Sequence, residues 1–156
     1  ISDGQAGASK GGLNAGVALK IPVGGWCQKG RISETGKVPK KYLLKGLLAG
    51  TGYLDFIKKN VEDSDGTVLF TYGKPIDENK KTIEYAEELK KPIYCIDLAD
   101  ANMALSEATR KLAFLWWIKK EKIKVLNVAG SIESKAEGVQ ETVEKFLINV
   151  FKANKV

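Results

Sequence analysis

Hydrophobic and polar positions along this chain follow two rhythms, and the switch between them recurs five times. Short apolar or β-branched runs stand at Ile1, at Ile21–Cys27 (IPVGGWC), at Thr67–Tyr72, at Pro92–Asp97 and at Lys124–Ala129. Runs of this length and composition read as strands. Between them the apolar residues recur at helical spacing, over Ser9–Lys20, from about Gly52 to Glu62, from Asn79 to Lys90, from Ala104 to Lys120 and from Ala136 to Lys152. Ser9 is the expected N-cap of the first helix. DSDG (Asp63–Gly66) is a turn, and QKGRISETGKVPKKY (Gln28–Tyr42) is the longest irregular stretch. Each strand is returned by a helix, so neighbouring strands should run parallel with helices over both faces. The expected fold is an α/β, three-layer α/β/α sandwich around a five-stranded parallel sheet of order 2-1-3-4-5, its topological switch between strands one and three.

Composition bounds this picture without changing it. A chain of 156 residues with 44% hydrophobic residues is one domain, 1–156, able to bury a core. The first strand opens at Ile1 and is expected to lack residues on its N-terminal side. The formal charge is +6, from 25 basic against 19 acidic residues, and suits an anionic ligand. Lysines such as Lys58, Lys59, Lys80 and Lys81 fall on helix faces rather than on one basic element with interleaved aromatics, so no nucleic-acid partner is expected. No run is long and apolar enough to span a bilayer. Cys27 and Cys95 lie in separate strands without metal-ligand spacing, which fits reduced thiols in a cytoplasm and no metal site.

In an open parallel sheet, ligands bind beyond the carboxyl ends of the strands at the switch point. The loop after strand one, from Asp3 through Gly4, Gln5, Ala6, Gly7 and Ala8, leads there and runs into a helix start. Its amides could hold a phosphate, or the loop could be only a tight turn. GGWCQKGR supplies Gly24, Gly25, Trp26, Lys29 and Arg31 to the same edge: Trp26 either stacks on a planar ring or packs in the core, and the two cations either pair with an oxyanion or face water. Lys10 is a further candidate cation. Asp97 either accepts from ligand hydroxyls or caps a turn, and Gly130 with Ser131 ends the last strand at this edge. Asp63 and Asp65 precede strand three and read as turn formers. Trp116 and Trp117 suit core or subunit contact. The chain contains no histidine, which excludes Ser-His-Asp and Cys-His catalysis. No catalytic residue is assigned.

GQAG, GGWCQKGR, NVEDSDGT (Asn60–Thr67), Lys91–Pro92 with Asp97–Leu98, and LNVAGSIES (Leu126–Ser134) occur in this order over nearly the whole chain. This combination resembles the putative molybdenum carrier family. The resemblance implies a Rossmann-like fold related to the lysine-decarboxylase-like and phosphoribohydrolase proteins, a homo-oligomer (dimer or tetramer), and binding of molybdenum cofactor, a pterin phosphate carrying molybdenum, or else of another anionic ligand. The implied function is a carrier that binds through phosphate. The alternatives are a nucleotide N-glycoside hydrolase, for which Glu78 and Glu84 are the nearby carboxylates, and a degenerate member that binds nothing. Asp3, Ala6, Ser9 and Lys10 depart from the family's first loop. Phe56 and Ile57 stand in place of an Arg-Thr pair, and in the third loop, within Asp77–Lys81, the family's GGT is replaced; only Thr82 remains recognisable there. Replacing a cation by Phe removes a charge-assisted bond worth roughly 1.5 to 3 kcal/mol.

Overall fold

The computed structural model describes residues 1–46, 54–99 and 107–154. The expected helix starts at Gly52 and Ala104 lie outside the described residues. The α/β alternation is observed: α1 (Ala8–Ala18), β1 (Trp26–Cys27), β2 (Ile32–Ser33), β3 (Gly36–Lys37), β4 (Lys45–Gly46), α2 (Asp55–Glu62), β5 (Gly66–Thr71), α3 (Asp77–Glu88), β6 (Ile93–Asp97), α4 (Glu107–Lys120), β7 (Leu126–Gly130) and α5 (Val139–Ala153). No helix among the described residues is long and apolar enough to cross a membrane.

The order of the strands differs from the expected one. β5 pairs in parallel with β6 on one side and β7 on the other, giving a three-stranded sheet β6-β5-β7. The sequential order would have put β6 in the middle. Burial explains the difference: all six residues of β5 (GTVLFT) are buried, whereas β6 keeps Cys95 and Asp97 exposed. A strand that buries every side chain belongs at the centre, and one with exposed positions tolerates the edge.

Among the described residues the sheets have two or three strands rather than the expected five. On its other side β7 meets the extended N-terminal residues: the Val128 amide donates to Ile1 O at 3.0 Å, and the Ser2 amide donates in turn to Gly24 O at 3.0 Å. Gly25 O then accepts from the Lys45 amide at 2.8 Å, where β1 and β4 form a two-stranded parallel pair. Gly25 is required at this close approach, because a Cβ there would sit 2.1 Å from Ser2 O, at a φ of +132°. The irregular stretch after β1 contains an antiparallel hairpin, β2–β3.

The core lies between β5, β7 and helices α4 and α5. α5 presents Val139, Val143, Phe146, Leu147 and Val150, a stripe at helical spacing that is buried throughout. Phe146 meets Phe70 of β5 edge to face at 5.6 Å between centroids, and Phe114 of α4 at 5.9 Å. Burying each such side chain stabilises the fold by about 1.5 to 3 kcal/mol. Trp117 joins this cluster against Phe114, while its neighbour Trp116 points outward, 63% exposed. Gly7, not Ser9, is the N-cap of α1, and Ser9 lies buried inside the first turn.

Candidate functional site

Parallel strands deliver their exits to one edge, and a cavity of about 250 Å³ opens there. The N-terminal segment contributes Asp3 and Gln5, β1 leads to Gln28, the β5–α3 loop brings Tyr72, Lys74 and Ile76, the first turn of α3 brings Asp77, Glu78 and Asn79, and the end of β7 with the loop after it brings Ala129, Gly130, Ser131, Ile132, Lys135 and Ala136. Phe56, Ile57 and Asn60 of α2 and Thr82 of α3 complete the walls. Main-chain bonds lace the first loop to the last: Ala8 N donates to Ser131 O at 3.0 Å and Glu133 N to Ala6 O at 3.0 Å. Gly130 makes the join fit, since a Cβ on it would stand 2.0 Å from Phe70 O, at a φ of +151°.

Asp3 is the electrostatically distinctive group. Burial pushes its carboxyl above the usual carboxylate range, against hydrogen bonds from the Gln5 amide and the Ser9 hydroxyl, and the charge of Glu78 pushes the same way. The Gln5 amide reaches Asp3 Oδ1 at 2.9 Å. Asp97, also at the carboxyl edge, behaves oppositely: the amides of Gly73 (2.8 Å) and Ala99 (2.9 Å) hold it below its ordinary value. Asp97 therefore caps a turn and is not among the cavity residues.

Carboxylates outnumber cations in the lining. Asp3, Glu34, Asp77 and Glu78 face Lys74 and Lys135, and Lys135 is already paired with Asp77 at 2.9 Å. Glu34, at the turn of the β2–β3 hairpin, accepts the Ser134 amide at 2.9 Å, so the mouth is bordered by loops that touch.

Of the residues proposed from sequence, Gln5, Gly130 and Ser131 line this cavity, while Gly4, Ala6, Gly7 and Ala8 form the loop beneath it. The Gly7 amide points to Gln140 Oε1 at 3.4 Å, so the amides of Gln5, Gly7 and Ala8 all have acceptors inside the protein. Lys10 and Lys29 are not in the lining. Arg31 is spent on the fold: its guanidinium donates to Leu44 O and, at 3.3 Å each, to Val38 O and Pro39 O. Gly24 and Gly25 hold the N-terminal segment. Trp26 donates from its indole N–H to Asp63 at 2.7 Å, and Lys45 and Lys59 lie over its ring.

Sequence reasoning put Asp3, and Lys74 within the loop Gly73–Lys80, at this edge without giving their side chains a role, and did not single out Ser9 or Tyr72 as site residues. The available signal for Asp3 was its place, the first polar side chain past the first strand exit. Phe56 and Ile57, read as lost anion ligands, supply an apolar wall instead.

A second cavity, about 380 Å³, opens at the amino edge among α1, α4 and α5. Among its lining residues Lys124 alone carries a polar side chain. Ligand sites combine an apolar wall with a few convergent polar groups. The smaller cavity meets that description and the larger one does not.

The model of the circularly permutated YpsA SLOG family matches residues 1–151. The solved structure of the putative molybdenum carrier protein from Syntrophus aciditrophicus SB is similar over 97% of this chain and 92% of its own, at 34% identity and a TM-score of 0.86. No curated protein matches. The resemblance read from GGWCQKGR, NVEDSDGT and LNVAGSIES is thus borne out.

Proposed function

The chain belongs to the circularly permutated YpsA SLOG family, and on that premise we propose that it is a carrier that binds a ligand of molybdenum-cofactor type without transforming it. The observation that carries this reading is the polar cavity at the strand exits, with the desolvated Asp3 carboxyl facing into it. The two ends of a pterin phosphate fit it unequally. A flat ring matches a space of about 250 Å³ with Phe56 and Ile57 on one wall and Asp3, Gln28 and Asn79 as hydrogen-bonding groups. Small-molecule sites begin at roughly 300 Å³, so the ring enters and the rest of the ligand stays at the mouth. There a phosphate would meet Lys74, Lys135 and Ser131 rather than Lys10, Lys29 and Arg31.

Purification from a host that accumulates molybdenum cofactor tests the proposal. We expect molybdenum and pterin fluorescence to copurify in equal proportion with the protein, and protein recovered free of both would refute it. The carboxyl pair Asp3 and Glu78 favours a second reading, nucleotide N-glycoside hydrolysis, because acid–base chemistry uses carboxyls whose environments differ. Release of free base from nucleoside monophosphates would support that reading over the carrier.

A further inference from the structure

Charge is placed unevenly along this chain. Residues 28–46 carry six basic side chains and one acidic, a net +5, against 19 basic and 18 acidic in the other 137 residues. Five of the six, Lys29, Lys37, Lys40, Lys41 and Lys45, are exposed. We propose that these lysines form a docking surface for an acidic protein segment with interspersed apolar side chains, in which Leu43 is the apolar anchor. The inference goes beyond the carrier reading and does not depend on the ligand.

Helix lysines are paired with carboxylates, as in Lys58–Glu88, Lys59–Glu62 and Lys81–Glu84. Among the described residues no ion pair includes any of the five. Lys41 and Lys45 lie instead over the rings of Tyr42 and Trp26, at 5.0 and 5.2 Å. The core fixes which way the segment faces: Val38, Tyr42 and Leu44 are buried with Leu13 and Cys27, and Pro39, Lys40, Lys41 and Leu43 between them turn outward. Arg31 staples the segment into one body through the carbonyls of Val38, Pro39 and Leu44. Unpaired positive charge held on a rigid surface attracts an acidic partner and speeds their encounter.

Leu43 narrows the kind of polyanion that fits. It is 73% exposed and holds a φ of +56°, a left-handed conformation that bulky side chains rarely adopt. Strained residues of this kind cluster where a partner is bound. An exposed leucine flanked by Lys40, Lys41 and Lys45 matches a protein interface, with its apolar centre and polar rim, and gives a phosphate backbone nothing to bind. Stacked bases would need free aromatic faces, yet Tyr42 is buried and the Trp26 ring lies under Lys45 and Lys59. Gln28 and Glu34 of the same segment line the cavity, so the partner would sit beside its mouth.

The test is fluorescence anisotropy of a labelled peptide that alternates glutamate pairs with single leucines, titrated with the full chain. We expect the triple variant Lys37→Glu/Lys40→Glu/Lys41→Glu to bind it about tenfold more weakly or worse, and Leu43→Asn roughly threefold more weakly. The charge-matched control Lys80→Glu/Lys119→Glu/Lys152→Glu, on other faces, should lose no more than about twofold. Asn accepts a left-handed backbone, so Leu43→Asn should melt no lower than the parent, which separates lost docking from lost structure. That variant also carries the test should the triple variant fail to fold. Failure of the parent to bind the peptide, equal loss in the charge-matched control, or parent-like binding by Leu43→Asn overturns the inference. Tighter binding of the parent to single-stranded DNA or to phosphatidylserine vesicles than to the peptide overturns it as well. No pterin is present in the titration, so each of these failures leaves the carrier reading standing.

Discussion

Asp3 and Asp65 are the same residue type at opposite edges of one sheet, and the protein treats them in opposite ways. Asp65, in the turn before β5, accepts the amides of Lys124 at 2.9 Å and Val125 at 2.8 Å, and those bonds hold its carboxyl below the usual range. Asp3, past the exit of the N-terminal segment, is pushed above that range by burial. The first carboxylate joins two strands and is stabilised by doing so. The second is kept ionisable where the fold would be better off without its charge, and residues held at a cost to stability mark functional sites. The two cavities repeat the contrast, polar at the carboxyl edge and almost wholly aliphatic at the amino edge.

The largest expected effect breaks the carboxyl edge altogether. Gly130→Ala forces a Cβ against Phe70 O, and we expect a loss of about 3 kcal/mol or more in chemical denaturation, together with the cavity. Asp3→Asn should sharpen the contrast instead, raising stability at neutral pH in chemical denaturation while weakening pterin binding. The sign follows from linkage. Because the folded-state value of Asp3 is raised, its contribution favours the fold below the ordinary value of 3.8 and is lost as pH rises from there through the folded value. Asp65→Ala should do the reverse, lowering stability by about 1 kcal/mol at this exposed position and leaving pterin affinity unchanged. Its contribution is present above the unfolded value and disappears as pH falls towards the folded one. The smallest effect belongs to Lys135→Ala. Its bond to Asp77 joins two side chains that are 57% and 58% exposed, so the melting curve should not move measurably.

Much of the fold was legible because local pattern decides it. The run TVLFT could only be a buried strand, and the stripe Val139, Val143, Phe146, Leu147 and Val150 could only be a helix face. Strand order was not legible in the same way, since it depends on which apolar run is buried on both faces, and Pro92–Asp97 looks as strand-like as Thr67–Tyr72 until Cys95 and Asp97 are seen exposed. The site divides similarly. Its edge followed from topology, and Gln5, Gly130 and Ser131 came with it. The cations did not, because Arg31 reaches carbonyls 7 to 13 residues away through a loop without periodicity. Nor does a sequence show that the amides of a glycine loop already have partners, as those of Gly7 and Ala8 do in Gln140 and Ser131.

The most direct measurement of the central claim is a carboxyl-carbon NMR titration that follows Asp3 and Asp65 in one sample, without and then with pterin. The account predicts that Asp3 titrates above 3.8 and Asp65 below it, and that pterin shifts Asp3 downward while leaving Asp65 in place. Coincident titration of the two groups near the ordinary value, or an Asp3 curve that pterin does not move, would contradict it.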